Sequence, residues 1–230
     1  MGEGGGLNLP FVPHYVYTVN IIRTPSERGE NMARQPDPDL EERILNAARQ
    51  LWKKGADKAL TMRAVARAAR TNTPAVYRRF HHRDDILRAL LQRTRQEFFR
   101  LIEASSSVAE AGERYLDFAL SHPHEYELYY LNEYELLFSA KPARGLTLNQ
   151  ILKQERPSVE LMKGKLAAQL GGSPDDYTRL ELALWALLHG TAMLLIAKTI
   201  QPPHAAEMRS ACLKSVETLL REASRLPRRK

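Results

Sequence analysis

A chain of 230 residues is long enough for one large domain or two small ones, and 43% hydrophobic content supports a packed core and excludes global disorder. The formal net charge of +7 and the isoelectric point near 9.6 direct attention to an anionic partner without identifying it. The single cysteine, Cys212, excludes an intramolecular disulfide and suits a reducing cytosol; it lies in an apolar-periodic run and reads as a small buried hydrophobe.

Residues 1–38 differ from the rest of the chain. They are rich in Gly and Pro, lack helical periodicity and end in "PDPD", which predicts a disordered or loosely attached extension. Within it, "FVPHYVYTVNII" is β-prone, and Met32, directly before "ARQPDPDLEER", is a candidate internal start. The opening "MGEGGGLNLP" has neither the basic segment nor the sustained apolar run of a secretory signal.

From Asp39 onward the pattern is helical. Ile44, Ala47, Ala48, Leu51 and Trp52 fall on one helix face. Asp39 with Glu42 three residues on predicts a capping box, and Gly55 predicts the helix end. Thr61 predicts the cap of a short second helix, Met62 to Ala69, with Val65, Ala66 and Ala69 inward. A third short helix is expected from Asn72 and a longer one from Arg83 to about Glu103. Later helical segments are punctuated by Pro123, Pro142, Gly145, Gly171, Gly172, Pro174, Pro202 and Pro203. Pro157 is expected to kink or split "LNQILKQERPSVELMKGKL". The apolar run "LALWALLHGTAMLLIA", Leu182 to Ala197, has 16 residues between Glu181 and Lys198. That falls short of the roughly 20 needed to span a membrane, so a buried helix of a soluble, cytoplasmic protein is expected.

Residues 61–83 hold six arginines (Arg63, Arg67, Arg70, Arg78, Arg79 and Arg83) and no Asp or Glu. An ordinary exposed helix intersperses acids. Within "TNTPAVYRRF", Asn72 suits an N-cap and Pro74 the first turn. Val76 and Phe80, four apart, are expected to face the core, which turns Thr73, Pro74, Ala75 and Arg78 outward. Thr and Ala suit a thymine methyl and Arg suits guanine, while Tyr77 and Arg79 would flank the helix where phosphates run. Two short helices joined by a tight turn make a helix-turn-helix.

The stretch from Ile44 to Leu87 resembles the DNA-binding domain of TetR-type (tetracycline-repressor-like) regulators. The matching positions are Ile44, Leu45, Ala47, Ala48, Trp52, Gly55, Thr61, Val65, Ala66, Val76, Tyr77, Phe80, Arg83 and Leu87, in order over about 45 residues. The resemblance implies that Thr61, Asn72, Tyr77 and Arg83 meet phosphates and that Thr73, Pro74, Ala75 and Arg78 meet or approach bases. Arg63, Arg70, Arg79 and His81 complete the expected DNA-facing set. The family has Gly-Val-Ser in the turn where this chain has Arg70-Thr71-Asn72. Asn keeps the cap, and Arg in place of Gly costs roughly 1 kcal/mol if the turn needs a positive φ.

The resemblance also implies a second domain that binds a ligand and dimerises. The run Leu182–Ala197 is apolar on more than one face, and Met208, Cys212, Val216, Leu219 and Leu220 form a stripe on the last helix. Two such helices from each of two chains would build a four-helix interface. Tyr115, Phe118, Tyr126, Tyr130 and Tyr134, with Trp185 and His189, are candidate ligand contacts. Tyr129 and Phe138 belong to the same aromatic cluster. Aromatics at helical spacing read equally well as core, and a histidine in an apolar run is more often a satisfied core residue. No arrangement for catalysis, metal or cofactor stands out: "HEYELYY" lacks the second histidine of a zinc-protease helix.

The expected architecture is all-α. An extension (1–38) precedes a three-helix helix-turn-helix DNA-binding domain (39–85), a larger helical ligand-binding and dimerisation domain (86–225) and a basic tail (226–230). The expected function is a homodimeric repressor holding double-stranded DNA at a palindromic operator and released by a small-molecule effector. A ligand-independent DNA-binding protein regulated by a protein partner is the alternative.

Overall fold

The computed structural model describes residues 37–131, 150 and 156–225. The expectations for the N-terminal extension, Tyr134, Phe138 and the basic tail fall outside these residues. Every regular element among the described residues is helical.

Helix α1 (Leu40–Ala59) buries Ile44, Leu45, Ala48 and Trp52 on one face. Asp39 stands at its N-cap but makes no capping hydrogen bond through its side chain. Glu42, the expected partner in a capping box, is drawn instead into an ion pair with Arg93. The helix breaks where the glycine predicted, but the left-handed φ falls on the next residue: Gly55 is extended (φ −161) and Ala56 is at φ 46. Helix α2 (Met62–Ala68) is capped by Thr61, whose Oγ1 accepts from the Ala64 N–H at 3.1 Å.

The turn after α2 has Schellman form. The Thr71 N–H donates to the Ala66 carbonyl at 2.9 Å and the Arg70 N–H to the Arg67 carbonyl at 3.2 Å. Closing it puts Arg70 at φ 53, the left-handed conformation that glycine takes most cheaply. Helix α3 (Thr73–Arg79) packs on α2, which packs on α1.

Helix α4 (Arg83–Glu103) starts where the Asp85 carboxylate accepts from the His82 N–H at 2.9 Å. It runs from this headpiece into the second helical region and contacts α1 there as well. That region continues with α5 (Val108–Ser121), α6 (Pro123–Leu131), α7 (Pro157–Leu170), a single 3-10 turn (Pro174–Tyr177), α8 (Thr178–Ile196) and α9 (Pro202–Arg225). Pro157 opens α7, where its missing N–H costs nothing, after a non-helical Arg156; whether it kinks or splits the longer segment lies outside the described residues. Gly171, at φ 82, ends α7.

Helix α8 packs on α5, α7 and α9. Counted through its polar first turn, the stretch Pro174–Ile196 has a mean hydropathy of 1.4 over 18 residues. It is therefore longer than the apolar run alone and meets the length and composition of a membrane span. It carries the buried Glu181 into the protein core, which a lipid-facing helix would not do. Only 28% of that window is buried within the single chain, and Leu194 of α8 and Leu219 of α9 are each more than a third exposed. One side of the α8–α9 pair therefore stays apolar and uncovered in the single chain.

Candidate nucleic-acid interface and ligand cavity

A helix of seven residues is not stable alone, so α3 depends on its caps and its buried side. Asn72 Oδ1 accepts from the Ala75 N–H at 2.8 Å, Pro74 occupies the first turn, and Val76 and Phe80 are buried. On the other side Pro74, Tyr77, Arg78 and Arg79 are exposed and Thr73 is half-buried. Tyr77, followed in the chain by Arg78 and Arg79, leaves 48% of its surface in water. Arg63, Arg67, Arg70 and His81 are exposed nearby. With no acid between residues 61 and 83, this surface is a one-sign patch that attracts polyanions. The Thr61 hydroxyl uses an oxygen lone pair for its cap and keeps its proton to donate.

Two residues of the expected DNA-facing set are engaged within the headpiece, Ala75 by burial and Arg83 by hydrogen bonds. Ala75 is only 4% exposed. The buried side of α3 takes two adjacent residues, Ala75 and Val76, rather than Val76 alone. Arg83 is partly exposed and held along the headpiece: Nε donates to the Leu60 carbonyl at 2.8 Å and Nη2 to the Asp57 carbonyl at 3.2 Å and to its carboxylate. These bonds tie the start of α4 to the loop before α2.

The headpiece is joined to the second region through α1. The Trp52 Nε1–H donates to the His124 carbonyl of α6 at 2.8 Å. Arg49 forms a bidentate pair with Glu97 of α4, at 2.7 and 2.6 Å. Glu125 of α6 is buried with Oε1 at 3.5 Å from Arg49 and 3.3 Å from Lys53. That oxygen has no aligned hydrogen bond, so charge rather than directional bonding holds it.

Among α4, α5, α6, α7 and α8 lies a cavity of about 40 Å³; one water needs roughly 10–15 Å³. Three of the expected ligand residues line it: Tyr115, Tyr130 and Trp185. Tyr126 and His189 stand behind them in a hydrogen-bonded chain. The Tyr115 hydroxyl meets Tyr126 at 2.8 Å and Tyr130 at 3.0 Å, and Tyr126 meets His189 Nδ1 at 2.7 Å. Burial pushes the phenols of Tyr115 and Tyr130 well above the ordinary tyrosine range, so they remain neutral donors. Burial, and then the charge of Arg156, lowers the pKa of His189, which keeps a neutral ring nitrogen for Tyr126. Phe118 does not line the cavity; it packs on Phe98 and stacks on His122.

Other lining residues went unanticipated, among them Phe98, Arg156, Met162 and Glu181. The Arg156 guanidinium lies 5.7 Å from the Trp185 ring centre, over its face. Glu181 is 5% exposed, and its Oε2 has no hydrogen-bond partner among the described residues. Burial raises its pKa to about 8, against the lowering effect of Lys163 and with a smaller push from Glu160. Spacing on α8 was a usable signal: Glu181, Leu184, Trp185 and Leu188 lie at i, i+3, i+4 and i+7, one face, and all four line the cavity.

Comparison with known proteins agrees with this geometry. Residues 44–90 match the model of the bacterial regulatory proteins of the tetR family, and residues 108–219 match a tetracyclin repressor-like C-terminal domain. No curated protein matches the chain. Among solved structures, a protein of unknown function from Rhodococcus sp. RHA1 is 24% identical with a TM-score of 0.61, covering 82% of this chain and 98% of its own. A TetR-like transcriptional regulator from the same organism is 18% identical with a TM-score of 0.55, over 82% of this chain and 97% of its own. The multidrug binding protein EbrR, solved with ethidium, is 19% identical with a TM-score of 0.54, over 80% of this chain and 99% of its own. At these identities the solved structures establish the fold. With an N-terminal and a C-terminal family model matched in chain order, the chain belongs to the TetR family of transcriptional regulators.

Proposed function

We propose that the chain is a homodimeric repressor that holds a palindromic operator through paired α3 helices and lets go when a small molecule enters the cavity. The observation that carries this reading is the exposed Tyr77–Arg78–Arg79 edge of α3, set in a patch without acids. Arg78 and Thr73 are the base-facing side chains in this account. Thr61, Asn72, Tyr77 and Arg79 face phosphates, with Arg63, Arg70 and His81 around them. Residues 39–85 form the DNA-binding domain and 86–225 the effector and dimerisation domain.

Pairing through α8 and α9 covers the apolar side that a single chain leaves open. It also gives the reading helices a second half-site, since one short helix contacts too few bases for specificity. Helix α6 is suited to carry the signal. Its Glu125 sits against Arg49 and Lys53 of α1, and its Tyr129 and Tyr130 line the cavity. A molecule that displaces those rings moves the same helix that grips the headpiece. The ethidium complex of EbrR supports the small-molecule part of the reading. The test is selection of bound duplexes from a random pool by purified protein near physiological salt. A palindrome with two half-sites about one helical turn apart is expected. Binding with no enriched sequence that vanishes as salt rises would reduce α3 to a generic phosphate contact.

A further inference from the structure

We propose that the cavity takes a small aromatic amine, its protonated nitrogen against Glu181 and its ring among Tyr115, Tyr130 and Trp185. This rests on the reading of the cavity as the effector site and names the class of molecule that fills it.

Glu181 is the starting point. Its side chain is removed from water, yet Oε2 receives no donor among the described residues. A buried polar oxygen in that state is costly, and native interiors rarely leave one so. Lys163 is the cation nearest at hand on α7, but its ammonium already donates to Glu160 at 2.9 Å and Asp175 at 2.8 Å. Arg156 lines the same cavity with its guanidinium over Trp185. A donor for Oε2 is therefore best brought by a ligand, and an ammonium supplies both the N–H and the charge.

The walls favour the same class. Tyr115, Tyr130 and Trp185 offer electron-rich ring faces, which attract a cation and bury a flat apolar body. At about 40 Å³ the cavity is smaller than the roughly 150 Å³ that takes benzene, so a single ring enters by displacing the tyrosine walls. A carboxylate ligand would meet Arg156 but brings no N–H for Oε2, and once Glu181 is ionised it adds a like charge beside it. An uncharged alcohol would supply a hydrogen bond without the charge.

The test uses the full chain and three probes on one skeleton: phenethylamine, 2-phenylethanol and phenylacetate. Each is titrated at about pH 9, where Glu181 has given up the proton that burial holds on it at lower pH, by tryptophan fluorescence, and Trp185→Phe identifies the cavity signal. The amine is expected to bind at least about tenfold tighter than the alcohol, with the acid weakest. Glu181→Gln should bring amine and alcohol to within about threefold, and Glu181→Asp should keep a preference for the amine. Thermal unfolding of both variants establishes that they fold. Equal or tighter binding of the alcohol or the acid, or an amine preference that survives in Glu181→Gln, overturns the amine class while leaving the cavity as a ligand site. No saturable signal from any of the three overturns the effector reading together with the proposal.

Discussion

In the headpiece of α1 to α3 the side chains with chemistry to offer stand in water. Tyr77, Arg78 and Arg79 are exposed around a small core built on Ile44, Val65, Val76 and Phe80. Between α4 and α8 the arrangement is reversed: the phenols of Tyr115, Tyr126 and Tyr130 and the carboxylate of Glu181 are turned inward around a cavity. Exposed charges add little to folding stability, so the headpiece can change what it binds without changing how well it folds. Buried polar groups bear on both, and a substitution near the cavity alters stability and recognition together.

The largest effect that would sharpen this contrast is Phe98→Ala. Phe98 is 2% exposed, packs on Tyr115, Phe118 and Tyr129 and lines the cavity. Its truncation should cost about 3–5 kcal/mol in urea unfolding. Next is the pH dependence set by Glu181, whose pKa is about 8 in the folded chain against an ordinary 4.5. Between those values the folded chain holds a proton that the unfolded chain has released. Stability therefore falls as pH rises through that window and levels off above it. Glu181→Gln removes the fall, so the variant should gain on the natural chain between about pH 5 and 8.5, by an amount on the order of a few kcal/mol. A constant difference across that range would break the contrast.

Arg79→Ala should weaken binding to every DNA sequence and lower the salt slope by about 1, with unfolding changed by less than about 0.5 kcal/mol. The smallest effect is expected from Arg70→Gly. Releasing the left-handed strain at φ 53 should stabilise the headpiece by up to roughly 1 kcal/mol in thermal unfolding.

Much of the headpiece was legible because its signals are local. The caps of α2 and α3 depend on Thr61 and Asn72 and on N–H groups three residues away, and the break at Gly55 and the strain at Arg70 also lie in short stretches of chain. Ala75 was misread because a seven-residue helix spans only two turns, too few for periodicity to separate one buried residue from two adjacent ones. The partners of Arg83 were not legible because charge alone does not say which way a long side chain turns; Asp57 and Leu60 decide that. In the cavity, Tyr115, Tyr130 and Trp185 were found as aromatics at helical spacing. Glu181 was passed over as the charge bounding an apolar run, although its i+4 relation to Trp185 places both on one face. Arg156 and Met162 come from a helix and its entry whose neighbours no local pattern reveals.

The central claim is that α3 reads bases as one of a symmetric pair, and duplex selection run in parallel on the natural chain and Arg78→Ala tests it most directly. The account predicts one palindrome from both proteins, with discrimination relaxed in the variant at a single pair of symmetry-related positions, worth about 1–3 kcal/mol each. An unchanged motif, or the same loss at every position, would contradict it.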